Sequence, residues 1–457
     1  MHRSFKEIKA LLPGHLEETI KLGYPVAIGQ LSHVMLGVED SLMVGAVGSA
    51  PLAASSLVNG LVMLIVIFGL GLTFAISPLV SIERGKENIG GCGIILRQSL
   101  LLNMAASFIL ILVIFGMSFL IPFLNQPEKV AQEAVPYAQI IGLSVLPFML
   151  FQTYRQFTEG LTFMKPAMYI TILANGINIF SNWLFIYGNW GMPALGLKGA
   201  GISTLATRIF MAAAMMTYVL HSPRFKPFDA GLRFKSINRP VMKEILRIGI
   251  PSGMQNFFEI GAFAFSAIMI GWLGDKSLAA HQIALSMASA SFMVVLGIAA
   301  AGTIRVGHAL GQNNIGKVRL AGFSAMIMSA AVMITFAVSF VIGRHWFPAL
   351  FIDDQEVLAL CSTLMIIAAI FQISDGQQAV GLGILRGIKD VKIPMYFSFI
   401  AYWVVGLPVG YILGFVFGFG VNGIWFGFVV ALSLAATFFI CRFFYRTKQL
   451  AGKQFNS

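Results

Sequence analysis

Cysteine is nearly missing from this chain. Three occur in 457 residues, Cys92, Cys361 and Cys441. They are scattered, odd in number and form no CxxC, so neither a disulfide framework nor a zinc site is supported. Charge is also scarce: Asp, Glu, Lys and Arg make up 11% of the residues, against about 25% in soluble domains. Hydrophobic residues reach 57% and the mean hydropathy is +0.82, which excludes a soluble globular domain and leaves a polytopic membrane protein. No HExxH, no GxSxG on a turn, no P-loop and no His/Cys cluster is present. The sequence therefore holds no recognisable enzyme centre and no ATP site for a primary pump. Residues 1–20 are charged, include Pro13 and lack an apolar core with a cleavage site, so no removable signal peptide is expected.

What the chain has in quantity is long apolar runs. Twelve segments are each long enough to cross a hydrocarbon core of about 30 Å. They lie near 20–46, 53–82, 97–122, 134–158, 165–188, 198–220, 243–272, 278–307, 318–343, 357–384, 391–416 and 421–444. The expected fold is an all-α polytopic membrane protein of two six-helix bundles. Of the 31 Lys and Arg, only Lys129, Lys198, Lys276 and Arg344 fall on the side opposite the N-terminus, and Arg208 falls inside the sixth span. Such a skew places both termini in the cytoplasm. It also accounts for the net charge of +12 as topology, with no need of nucleic-acid binding.

The longest connector on the basic side, HSPRFKPFDAGLRFKSINRP at 221–240, divides an N-terminal lobe (1–220) from a C-terminal lobe (241–457). The lobes repeat each other. Gly23, Pro25, Gly45, Gly48, Leu52, Ala53, Ala54, Gly71, Gly85, Asn88 and Gly90 each recur 226 positions later, from Gly249 to Gly316. Gly160, Lys165, Met168 and Tyr169 recur 227 later as Gly387, Lys392, Met395 and Tyr396. An even number of spans per half makes the repeat parallel. Transporters of this plan bind substrate between their halves and alternate access by rocking them; a duplicated structural bundle is the other reading.

Four acids interrupt the apolar segments: Glu39, Asp40, Glu259 and Asp375. A carboxylate at mid-bilayer costs roughly 2.5 kcal/mol or more on insertion scales, so such residues read as functional. At the common offset Glu259 pairs with His33 and Asp40 with Ser266, so each half keeps its own first-span acid. Ser252, Gln255, Asn256 and Phe263 share the helix face of Glu259, and Gln372 and Gln378 lie one turn either side of Asp375. Both helices present a polar stripe suited to a wet cavity. In the N-terminal half His33 and Asp40 share a face, and Asn175, Asn178 and Asn182 make an oxygen-rich stripe on the fifth span that Thr204 of the sixth could join. Such oxygens suit a hard cation such as Na⁺, and a carboxylate in low dielectric can carry a proton. The Asn stripe reads equally as glue between helices, and His33 as a packing residue. Glu39 points away from Asp40 around the helix and has no assigned role; near the helix end, its bland reading is reach to the interface.

These residues resemble the multidrug and toxic-compound extrusion (MATE) family across nearly the whole chain. The resemblance rests on LGYPVAIGQ…VEDSLMVGAVGSAPLAA, its echo GIPSGMQN…IMIGWLGDKSLAAHQIA and the duplicated twelve-span layout. Within the family the chain is similar to the NorM-like branch, which carries a seventh-span glutamate and a tenth-span aspartate, here Glu259 and Asp375; Asp40 stands at the family's first-span aspartate. The resemblance implies a secondary antiporter that exports organic cations in exchange for Na⁺ or H⁺ by rocker-type alternating access. Such a protein acts as a monomer in a bacterial inner membrane, with no cofactor besides the coupling ion. Glu259, Asp375 or Asp40 would take that ion. Asn178 and Asn182 fall on fifth-span cation-site positions, where some relatives have an acid in place of Asn182.

Gln255, Asn256, Phe292, Gln372, Gln378 and Tyr402 are the candidate substrate contacts, with Phe257 and Phe258 as further rings offering cation–π contact. Asp353 and Asp354 resemble an acidic pair linked to substrate in some relatives and read otherwise as a solvated loop. Pro25 and Pro251 open the first helix of each half. Pro408, in VVGLPVG of the eleventh span, has only Ser181 opposite it in the repeat; a bend there is a gate element or a static kink. One rival is a lipid-linked precursor flippase, or an exporter of another metabolite in the superfamily. A flippase needs a cationic cavity, yet almost no intramembrane Lys or Arg is seen apart from Arg208. A channel or structural bundle is disfavoured by the acids in both halves.

Overall fold

The computed structural model describes residues 5–229 and 237–455, with side chains described for 13–229 and 237–452. Among these residues regular structure is helical throughout, without strands. Each backbone polar group inside a bilayer must find its partner within the chain, and a helix does this locally. Twelve helices of membrane length follow in order: α1 (Phe5–Gly45), α2 (Ser49–Gly85), α3 (Ile89–Phe123), α4 (Glu128–Gly160), α5 (Lys165–Phe185), α6 (Leu197–His221), α7 (Arg239–Gly271), α8 (Asp275–Gly311), α9 (Ile315–Gly343), α10 (Gln355–Gly387), α11 (Lys392–Val416) and α12 (Gly420–Phe455). All but α1 and α5 are apolar enough to count as spans by composition. Those two carry Asp40 and the Asn175/Asn178/Asn182 stripe, so the residues that suggest a site also depress the hydropathy of their helices.

Contacts group the chain into two compact units, residues 28–253 and residues 1–27 with 254–457. The cuts fall inside α1 and α7, near Pro25 and Pro251, and not in the 221–240 connector. Glycines explain the exchange. A Cβ on Gly297 of α8 would stand 2.5 Å from the Gly23 carbonyl oxygen, and one on Gly71 of α2 would stand 2.4 Å from Gly253 Cα and 2.7 Å from the Gly249 oxygen. At the offset of 226, Gly23 matches Gly249 and Gly71 matches Gly297. The same backbone-on-backbone approach is thus built twice, once in each unit.

In the 28–253 unit the core runs through Val58, Val62, Tyr137, Ile141, Phe148 and Met149 of α2 and α4. A buried ion pair, Arg155–Glu159 at 2.7 Å, ends α4 and reaches Gln30 on α1 at 3.1 Å. The opening of the connector is folded: Pro223–Phe228 forms a 3-10 turn whose Phe225 and Phe228 are buried against Phe157. Arg97 pairs with Asp229 at 2.8 Å. Residues 230–236 of the expected linker lie outside the described residues.

The other unit packs α10 between α8, α9 and α12, with one core around Trp425 and Phe371 and a second around Val380, Ile384 and Phe439. Arg305 of α8 fastens the start of α1 through Glu18 at 2.9 Å, Thr19 and His15. In α11 the residues on either side of Pro408 wind as wide π-helical turns, Ile400–Gly406 and Ile412–Val416. Proline removes one N–H and its ring crowds the carbonyl four residues back, and a widened turn absorbs both. Gly406 and Gly410 lie directly on Gly427 of α12: a Cβ on Gly427 would stand 2.6 Å from the Gly406 oxygen and 2.7 Å from Gly410 Cα.

Candidate ion and substrate sites

Asp40 lies near the end of α1, two turns past His33. Its Oδ1 accepts from Asn182 Nδ2 at 2.6 Å and its Oδ2 accepts from Thr204 Oγ1 at 3.2 Å. The same Asn182 amide donates to Asn178 Oδ1 at 3.1 Å. The structure therefore brings Asp40, Asn178, Asn182 and Thr204 of α1, α5 and α6 into one cluster. Helical spacing places Asn178 and Asn182 one turn apart, and the small Thr204 lets α6 approach. Asn182 Oδ1 and Asn175 Oδ1 are buried without a hydrogen-bond partner. His33 is not in the cluster; it stacks on Phe148 with centroids 5.7 Å apart. Glu39 is half-buried.

In the other unit Glu259 of α7 and Asp375 of α10 are neighbours whose charges act on each other, and Asp375 is only 6% exposed. Gln378 donates through Nε2 to Glu259 Oε2 at 3.2 Å, leaving its own Oε1 buried and unmatched. The Tyr402 hydroxyl, on the first π turn of α11, comes up to Glu259 without completing a hydrogen bond. Trp403, the next residue, donates its indole N–H to the Phe258 carbonyl at 2.9 Å and packs against Gly261. The widened turn thus registers α11 on α7 at Glu259. No Lys or Arg lies within ion-pair distance of Glu259, Asp375 or Asp40 among the described residues. Two carboxylates, an amide oxygen and a phenol oxygen make a donor set for a small hard cation.

Other candidates are occupied elsewhere. Gln255 donates to the Val391 carbonyl at 2.9 Å, and Gln372 exchanges hydrogen bonds with Ser291. Both are buried and join helices. Asn256 is half-buried on α7, and Phe292 packs on the core of α8, α9 and α10. Phe258 lies between Phe257 and Phe399. Asp353 and Asp354 are exposed; Asp354 caps α10 through the N–H groups of Glu356 and Val357, which hold its carboxyl below the usual range, and Lys276 lies 3.8 Å away.

Sequence reasoning passed over the buried His281, which accepts from Trp425 Nε1 at 3.0 Å, and Trp403. For Trp403 the available signal was its place beside Tyr402, five residues before the unmatched Pro408. Among the described residues no three His, Cys, Asp or Glu gather as a metal cluster.

Comparison with known proteins matches the MatE family model to residues 25–184 and 251–412, once in each half. The chain is 33% identical to "Multidrug resistance protein NorM" of Aliivibrio fischeri, over 97% of this chain and 95% of that protein. It is 34% identical to "Multidrug resistance protein MdtK" of Photorhabdus laumondii, over 98% of both. Among solved structures it superposes on a MATE protein in the bent conformation with a TM-score of 0.89 at 20% identity, covering 99% of each chain. It superposes on the eukaryotic MATE transporter AtDTX14 with a TM-score of 0.86 at 20% identity, covering 97% of this chain and 99% of that one.

Proposed function

Because the chain belongs to the MATE family of membrane transporters, we propose that it is a multidrug exporter that exchanges organic cations for Na⁺ or H⁺. The observation that carries this reading is the Glu259–Asp375 pair, two carboxylates without a basic partner, faced by the free oxygens of Gln378 and Tyr402. An unpaired charge in a membrane interior is stable only if something neutralises it. A proton or a sodium ion does so, and so does the cationic group of a drug. The two compete for one field, and that competition is the physical content of antiport. Ion binding removes the desolvation penalty of the acids, which favours closure. Drug release then follows in the opposite orientation, by rocking of the halves. Asp40 with Asn182 and Thr204 is a second acidic point. The working form is a monomer in a bacterial inner membrane, with both termini cytoplasmic. The names of its relatives, multidrug resistance proteins of bacteria, support this reading.

The test is efflux of a fluorescent organic cation from proteoliposomes with Na⁺ and pH gradients imposed separately. Glu259→Gln, Asp375→Asn and Asp40→Asn are compared under each. Gradient-driven accumulation that collapses in the first two supports the reading; equal activity in all three variants removes it.

A further inference from the structure

Far from both acidic centres, α12 ends its apolar run in a cluster of ions. Arg442 stands 22 residues past Gly420, where the helix begins. At 1.5 Å per residue that is about 33 Å along the axis, just beyond a hydrocarbon core of about 30 Å. Its Nε donates to Asp390 Oδ2 at 2.8 Å and its Nη2 to Oδ1 at 3.3 Å. Arg446, one turn on, brings its own Nε to 3.2 Å from the same Oδ2 and donates through Nη1 to Gln449 Oε1 at 2.6 Å. Asp390 lies buried in the turn between α10 and α11, whereas the Arg446 side chain is 36% exposed. One carboxylate offsets one guanidinium. Among the described residues no second acid is within ion-pair distance of either arginine, so the cluster carries one positive charge in excess.

The repeat shows that packing at this corner does not require ions. Asp390 corresponds to Phe163 at the offset of 227, and Gly196 and Gly199 recur as Gly420 and Gly423, which aligns Arg442 with Tyr218. In the N-terminal half the matching corner is filled by rings: Phe163 and Tyr218 both meet the buried Phe225 of the connector, at 5.3 and 5.7 Å. The C-terminal half has a guanidinium pair there, half-buried at the membrane boundary. Its neighbours on α12 are apolar and outward: Phe444 and Tyr445 are exposed, and the Tyr445 ring lies 6.0 Å from the Arg442 guanidinium. Exposed rings at this depth belong to the belt where headgroups meet acyl chains.

We propose that Arg442 and Arg446 bind the phosphate of an anionic phospholipid, with Phe444 and Tyr445 against its glycerol and upper acyl chain. Asp390 orients Arg442, and Arg446 supplies the charge that the lipid balances. A planar fork of N–H donors fits phosphate oxygens, and basic pockets between helices at the cytoplasmic boundary suit anionic headgroups. The depth and the exposed rings select a lipid over a dissolved anion. This assignment goes beyond the export reading and does not rest on it, since all three charged residues belong to one unit and need no cargo.

Native mass spectrometry of the full chain in neutral detergent, titrated with dioleoyl phosphatidylglycerol or dioleoyl phosphatidylcholine, gives an affinity for the first lipid retained. The readout is the ratio of the two affinities, which a general loss of packing does not shift. Wild-type protein prefers phosphatidylglycerol. Arg446→Gln leaves the Arg442–Asp390 pair intact and lowers the ratio roughly fivefold, the scale for one basic residue at an anionic surface. Asp390→Asn removes the counter-charge and raises the ratio, a sign that a purely structural ion cluster would not give. Lys448→Gln, exposed near the same helix end, leaves the ratio unchanged. The proposal is overturned by no preference in wild type, by an unchanged ratio in Arg446→Gln, or by an unchanged or lower ratio in Asp390→Asn. A fall in Lys448→Gln as large as in Arg446→Gln also overturns it, because it marks a diffuse basic face. So does full displacement of phosphatidylglycerol by inorganic phosphate, which marks a site for dissolved anions.

Discussion

The acids of the two halves sit in opposite hydrogen-bonding company. Both oxygens of Asp40 hold a donor, one amide and one hydroxyl. Glu259 and Asp375 stand close together with a single donated bond from Gln378, and the oxygens around them, Gln378 Oε1 and Tyr402 Oη, have no partner. A cation needs acceptors, and a carboxylate with a donor on each oxygen offers fewer free lone pairs than one without. The difference teaches that the two halves present their acids differently: the C-terminal pair is surrounded by oxygens without partners, whereas both oxygens of Asp40 already hold a donor.

The sharpest way to break that comparison is to neutralise each centre in turn. Glu259→Gln or Asp375→Asn is expected to lower ion-driven efflux by about 100-fold, equivalent to about 2.7 kcal/mol. Asp40→Asn is expected to lower it less, because the amide restores a hydrogen-bonded cluster with Asn182 and Thr204. A thermal shift separates binding from transport. A ligand that binds only the folded protein raises its melting temperature, so the coupling ion should stabilise wild type and Asp40→Asn but not Asp375→Asn. The reverse pattern would move the ion site to Asp40.

A second comparison concerns the duplicated glycine contacts. Gly71→Ala sets a methyl against Gly253 Cα, and Gly297→Ala sets one against the Gly23 oxygen. Backbone cannot yield as a side chain does, so each change is expected to cost about 1–3 kcal/mol, the range of overpacking. If the repeat is as regular as its contacts, the two melting temperatures fall by similar amounts. A large loss in only one would show that one exchanged junction carries more of the stability.

A third test touches the proposed ion pocket without removing charge. Tyr402→Phe deletes the unmatched hydroxyl and keeps the ring, and is expected to weaken half-saturation by the coupling ion about tenfold, as for one lost ligand oxygen of about 1.4 kcal/mol. Maximal efflux should change little. Trp403→Phe, which loses the bond to the Phe258 carbonyl, should do the same by letting α7 drift from α11. If instead both variants lower maximal efflux at unchanged ion affinity, α11 serves movement and not ion geometry.

Composition and periodicity revealed the helical fold, and the fixed offset revealed the duplication, because both are properties of one strand of sequence. The Asp40 cluster was legible for the same reason: Asn178 and Asn182 are one turn apart, and α5 and α6 are consecutive. Gln255 and Gln372 lie on the expected helix faces, yet their partners, Val391 just before α11 and Ser291 of α8, come from other parts of the chain. A helical wheel shows which face is polar and not what stands opposite. Arg208 over Phe148 was hidden likewise, since 60 positions of sequence separate the two. The exchange of α1 and α7 between units follows from glycines that were visible as repeat markers, but their role as contacts needs the packed backbone.

The smallest effect is expected at the exposed acids. Asp354 was singled out with Asp353 as a possible drug contact, but in the structure it accepts from the N–H groups of Glu356 and Val357 and faces Lys276. Aspartate and asparagine both serve as helix caps, and alanine does not. Asp354→Asn should therefore keep the melting temperature of wild type at neutral pH, and Asp354→Ala should lower it slightly, with efflux of a simple cation the same in both. Because the backbone N–H groups depress this carboxyl, its contribution is present above the ordinary aspartate pKa and lost as pH falls through the lowered one. The gap between wild type and Asp354→Ala should therefore close only in acid. A drop in efflux with Asp354→Asn at unchanged melting temperature would instead return this carboxylate to the substrate path, and acidic contacts would then lie outside both buried centres.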